Sequence, residues 1–178
     1  MSEYDEHWIT TYTGKKFHYL NPLVDEITII DIAHALALTC RFGGHCSEYY
    51  SVAEHSIRVA DIVPEKYRLH ALLHDAGEAY IPDIPRPIKY DYPEIKDLEE
   101  KLFMQIFVVL GNSQYNATEI KYADSVLLAT EARDLMITME DWAELPPALE
   151  EKIIPTDWQW AEKEFLNYYH CLKGGLAT

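Results

Sequence analysis

Residues 64–80 read PEKYRLHALLHDAGEAY, and the fold follows from how this stretch is arranged. Leu69, Leu72, Leu73 and Ala76 recur at helical spacing, and Pro64 suits a first helical turn, so a helix is predicted to about Ala79. Three titratable groups, His74, Asp75 and Glu78, interrupt that apolar pattern. On a continuous helix Glu78 lies one turn beyond His74, over the same face. Burying a carboxylate unpaired is costly, so partners must come from elsewhere in the chain.

Both flanks read as helical. Ser51 and Glu54 have capping-box spacing and open a helix through about Ile62, on which His55 shares an apolar face with Val52, Val59 and Ile62. Thr28 and Asp31 repeat that spacing ahead of a helix to about Cys40, which Gly43-Gly44 breaks. Before it, β-formers such as Trp8, Ile9, Tyr12, Phe17 and Tyr19 flank Thr13-Gly14 and predict a short hairpin. Downstream, Pro82, Pro85, Pro87 and Pro93 predict a loop over 81–93. Helices are expected at about 94–110 and 117–138, with Gly111 and Asn112 between them and Asp124 inward beside Ile120, Leu127 and Leu128. Asp157 caps a last helix carrying Trp158, Ala161, Phe165 and Tyr168. The expectation is one all-α domain over 1–178, with six or seven helices and a short N-terminal hairpin.

Composition narrows the function. A chain of 178 residues with 48% hydrophobic and 25% charged residues fits a globular domain with a real core. Fifteen Lys and Arg against thirty Asp and Glu leave a net charge of −15, which opposes a nucleic-acid groove or an anionic membrane as partner. Cys40, Cys46 and Cys171 contain no CxxC pair, so neither a disulfide framework nor a zinc knuckle is indicated. The start, MSEYDEHW, has no basic region followed by an apolar run, and no apolar stretch approaches the roughly 18 residues of a membrane span. A cytoplasmic location is expected, in the host cytoplasm if the chain is phage-encoded.

His55, His74, Asp75 and Asp124 come from three helices, and their convergence would suit one divalent transition metal. Singly, an inward His is as well read as a hydrogen-bonded core residue, and an inward Asp as a paired one. The combination is what points to a metal. The sequence has no HExxH, GxSxG, P-loop or GxGxxG.

These residues resemble the HD-domain phosphohydrolases, defined by an H…HD…D pattern on a helical core. The pattern reads VAEHS at His55, LLHDAGE at His74 and Asp75, and KYADS at Asp124. The run HDAGEAYIPDIPRPIKY is similar to the bacterial and phage branch that includes 5′-deoxynucleotidases and deoxynucleoside-triphosphate hydrolases. The resemblance extends from about Thr10 to Met136. It implies His55, His74, Asp75 and Asp124 as metal ligands, and Glu78 as the residue that orients or deprotonates water. It places Asp83 near the sugar 3′-hydroxyl, with Arg41 on phosphate and Phe42 beside sugar or base. The implied cofactor is one divalent ion (Co, Mn, Zn, Fe or Ni), with further divalent ions if the substrate is a triphosphate.

The function expected is hydrolysis of deoxynucleotides at the α-phosphorus, from a 5′-monophosphate or a triphosphate; the acidic balance favours the monophosphate. Arg86 and Lys89 are read chiefly as loop charges, His34 and His70 as supporting residues, and His45 is unassigned. A non-catalytic nucleotide sensor and a cyclic-nucleotide phosphodiesterase are the alternative readings. Self-association is expected, with a small nucleotide as the other partner and neither nucleic acid nor membrane.

Overall fold

The computed structural model describes residues 7–111, 116–138, 142 and 144–174. Residues 1–6, Asn112 and the side chain of Arg86 lie outside the described residues. The described chain is mostly helical. Two short antiparallel strands, β1 (Ile9–Thr10) and β2 (Lys16–Phe17), pair Ile9 with Phe17 and Thr10 with Lys16. Seven α-helices follow: α1 (Ile29–Leu38), α2 (Val52–Ile62), α3 (Arg68–Leu72), α4 (Arg86–Asp91), α5 (Pro93–Leu110), α6 (Ala117–Leu135) and α7 (Trp158–Gly174). No helix among them is long and apolar enough to cross a membrane.

Helix α2 is the hub, packing against α1, α3, α6 and α7. Eight of its residues are buried, Glu54 and His55 included, so it has no wide solvent face. Phe17 stacks on Tyr80 with ring centroids 3.5 Å apart, joining the hairpin to the turn after α3. Both expected caps form. Thr28 Oγ1 accepts from Asp31 N, and Ser51 Oγ accepts from Glu54 N, each closing the first turn of its helix. Neither acid completes a reciprocal capping box. Asp31 accepts instead from Thr13 N at 2.7 Å and Thr13 Oγ1 at 2.9 Å, fastening the hairpin turn to α1. Glu54 pairs with Arg58 at 2.8 Å and accepts from Thr156 Oγ1 at 2.6 Å, which ties the chain before α7 to the hub.

Three expectations are corrected. The helix predicted from Pro64 to Ala79 is not continuous: a 3₁₀ turn at Glu65–Tyr67 leads into α3, and a second at Ala76–Ala79 follows a break at 73–75. The break has a local cause. His74 Nδ1 donates to the Ala71 carbonyl at 2.7 Å, engaging the acceptor that a continuing α-helix would offer to Asp75 N–H. The loop predicted over 81–93 contains α4, because Pro85 and Pro87 fall at its start, where the missing N–H is no loss. Helix α6 ends at Leu135 instead of 138, with Met136 N donating back to Ala132 O.

Candidate metal centre

Four side chains meet beneath α2. His55 is fully buried on α2, His74 and Asp75 occupy the break after α3, and Asp124 comes from α6. His55 Nε2 lies 3.3 Å from His74 Nε2, 3.3 Å from Asp124 Oδ1 and 3.5 Å from Asp75 Oδ2; the same Asp75 oxygen is 3.2 Å from His74 Nε2. The ligand atoms of His55, His74 and Asp124 all lie within 4.8 Å of one another, while Asp75 Oδ2 is placed against the two imidazoles; two ligands at about 2.1 Å from a tetrahedral ion would stand about 3.4 Å apart.

The ring tautomers make the case sharper. The Ala71 carbonyl can only accept, so His74 Nδ1 carries its proton. His55 Nδ1 faces Glu131 Oε1 at 2.6 Å, and that carboxylate is held below its usual range: burial opposes ionisation, but Arg41 and His55 outweigh it. In neutral rings both Nε2 atoms therefore direct lone pairs at each other and at carboxylate oxygens. Acceptors facing acceptors at this distance require a cation among them. A proton is the minimal one. Burial and Arg41 push His55 down, yet Glu131 and Asp124 lift its pKa to about 9. Burial likewise opposes ionisation of Asp75 and Asp124, but the two imidazoles hold both well below the usual carboxylate range, with Arg41 helping at Asp75. The donor set fits a divalent transition metal.

The other expected residues surround this centre. Arg41 is buried, with Nη1 3.6 Å from Asp75 and Nη2 3.1 Å from Glu131, while its Nε has no hydrogen-bond partner among the described residues. The loop presenting it is closed by Arg41 N donating to Tyr50 O and Val52 N to Thr39 O. Inside it Phe42 (φ 57°), Gly43 and Gly44 are left-handed, a conformation costing Phe42 roughly 1–2 kcal/mol. The Phe42 ring lies 5.4 Å from the Arg41 guanidinium and 6.3 Å from Trp142.

Glu78 lines a cleft of about 360 Å³ with His74, Asp75 and Asp124, and Lys89, Lys96 and Lys121 also line it. Burial and the Asp75 and Asp83 charges push the Glu78 carboxyl well above its usual range; Lys89 Nζ, 3.7 Å away, only partly compensates. Asp83 is felt electrostatically by Glu78, Arg41 and Lys89 but does not line the cleft. Lys89 pairs with Glu99 at 2.9 Å, so it is more than a loop charge. His34 is held by Glu162 at 3.2 Å and stacked on Tyr12, and His45 is exposed on the Arg41 loop. His70 packs against Phe103 and Phe107 at the cleft wall.

Glu131 is the residue sequence reasoning missed. It stands seven positions after Asp124, two turns along α6 and on the same face, inside the otherwise uncharged run SVLLATEA. That spacing was the available signal.

Among known proteins, 128 residues are 45% identical to the uncharacterized protein YfdR of Escherichia coli K12, covering 72% of each chain. The chain belongs to the YfdR family. A second relative, the uncharacterized protein RCAP_rcc00048 of Rhodobacter capsulatus, is 40% identical over 91 residues, 46% of each chain. No family model matches.

Proposed function

We propose that this YfdR-family protein is a metal-dependent phosphohydrolase of the HD type that acts on deoxynucleotides. The observation that carries the reading is the convergence of His55, His74 and Asp124, whose ligand atoms lie within 4.8 Å of one another, with Asp75 Oδ2 3.2–3.5 Å from the two imidazoles, beside a cleft of about 360 Å³. A divalent metal held there would polarise a phosphoryl oxygen and lower the pKa of a bound water.

The chain supplies the rest. Glu78 sits in the cleft with its Oε2 free of hydrogen bonds among the described residues, placed to orient a water and take its proton. Arg41, held by Glu131 at Nη2 and facing Asp75 with Nη1, has Nε without a partner among the described residues and is the proposed donor to a phosphate oxygen. Lys89, Lys96 and Lys121 line the cleft too, the first two ion-paired with Glu99 and Glu100 of the same lining. Phe42 and Asp83 are the residues proposed to meet sugar or base. Monophosphate and triphosphate substrates share one chemical event, expulsion of the nucleoside 5′-oxygen from the α-phosphorus.

The test is nucleoside release from deoxynucleoside mono- and triphosphates by protein loaded with Mn or Co. Wild type should release nucleoside and Asp124→Asn should not. Equal release by both, or none by a wild type shown to hold metal, would contradict the proposal.

A further inference from the structure

We propose that Glu131 is a positioning residue shared by the metal-ligating His55 and the phosphate-binding Arg41, so that neither is set independently of the other. This rests on the metal-dependent reading above. Glu131 is fully buried on α6, and both its oxygens are used: Oε1 accepts from His55 Nδ1 at 2.6 Å and Oε2 from Arg41 Nη2 at 3.1 Å. The two partners come from different elements, α2 and the loop before it; both also approach Asp75 Oδ2, at 3.5 and 3.6 Å, but Glu131 alone among the described residues hydrogen-bonds His55 at Nδ1, the nitrogen turned away from the cluster.

The chemistry restricts what can stand there. Arg41 can only donate, and His55 must donate from Nδ1 if Nε2 is to face His74, Asp75 and Asp124. The shared residue must therefore accept at both ends. Glutamine has nearly the same shape but offers an acceptor at one end and an NH₂ at the other, so it can serve one partner and must oppose the second. With Glu131 in place, His55 is held to the ring orientation that presents Nε2. Arg41 is anchored by Nη2, with Nη1 3.6 Å from Asp75, and only Nε is without a hydrogen-bond partner among the described residues. An anion drawing on Arg41 and a cation drawing on His55 then act through one carboxylate, and their affinities must be linked in both directions.

Nuclear magnetic resonance of the wild-type chain with ¹⁵N-labelled histidine gives the first readout. His55 Nδ1 should carry a slowly exchanging, downfield proton in both metal-free and Zn-loaded protein. Absence of a proton on Nδ1 would overturn the proposal, whatever the protein hydrolyses. Calorimetric titration with Co²⁺ gives the second. Glu131→Gln should weaken Co²⁺ binding by about 10–100-fold. Its effect should be non-additive with Arg41→Met in the double variant. Wild-type affinity in Glu131→Gln, or strict additivity, would also overturn it. If Glu131→Gln does not fold, the wild-type spectrum decides. If both readouts hold but no nucleotide is cleaved, the proposed function fails and the role of Glu131 stands.

Discussion

At the scale of single residues, Glu78 sets function against stability. Its folded pKa lies above the unfolded value, so the native state is penalised once the group ionises, and at neutral pH that penalty is present. Glu78→Gln removes it. Turnover should fall by about 10²–10⁴-fold while metal stays bound and the melting temperature rises. Unchanged turnover would remove Glu78 from the chemistry; a lowered melting temperature would contradict the electrostatic reading. Two histidines should shape the pH profile of the metal-free protein. His70 is depressed to about 4, first by burial and then by His74, so the unfolded chain takes up a proton that the native state refuses. Its contribution is present above the ordinary value of 6.5 and is lost as pH falls toward 4, by up to about 1.4 kcal/mol per pH unit. His55, raised to about 9, contributes fully below 6.5 and loses that contribution as pH rises through 9. Urea midpoints should peak near pH 6.5, and saturating metal should flatten the alkaline limb. A metal-free profile rising steadily from pH 6.5 to 9 would contradict the reading of His55. That His55, His74, Asp75 and Asp124 would come together was legible because imidazole and carboxylate stand out within apolar helical sequence. Glu131 was not, because its importance depends on Arg41, 90 positions away in sequence.

At the scale of elements, most helices were legible because their caps and apolar spacing are local. Ser51, Thr28 and Asp157 all act as read: Asp157 Oδ1 accepts from Trp160 N at 2.7 Å. The break after α3 was not legible, since a run of Leu and Ala carries no sign that His74 will bond back to Ala71. The placement of His74 and Asp75 comes from a turn that aims both side chains at His55, and Glu78 reaches the cleft from a 3₁₀ turn. Helix α4 was hidden by prolines read as breakers although they lie in a first turn. Ser51→Ala removes the cap of α2, whose fourth residue is His55. It should cost about 1–2 kcal/mol, read as a lower urea midpoint, with one metal still bound per chain. A loss of metal with unchanged stability would show that the cap serves the site directly.

At the scale of the whole molecule, α2, α6 and the turn after α3 are held at fixed separation by a shared core, and the proposed ion joins all three. A ligand that binds only the folded state stabilises it, by about 4 kcal/mol at a thousand times its dissociation constant. Mn²⁺ or Co²⁺ should raise the melting temperature and EDTA should reverse the rise; His74→Ala should abolish the response. A shift of equal size in His74→Ala would place the ion elsewhere. The net charge of −15, and a cleft whose lysines stand among Asp75, Glu78, Glu99, Glu100 and Asp124, make a phosphate substrate an unfavourable visitor unless a bound divalent cation offsets the local charge. The central claim of the proposed function is water attack at the α-phosphorus. It is tested most directly by incubating metal-loaded protein with deoxynucleoside mono- and triphosphates in H₂¹⁸O, quenching with EDTA and recording phosphorus NMR. The expected product is ¹⁸O-shifted inorganic phosphate from the monophosphate or, if the triphosphate is the substrate, tripolyphosphate labelled on one terminal phosphorus. Intact nucleotides from protein shown to contain metal, or phosphate released without ¹⁸O, would contradict it.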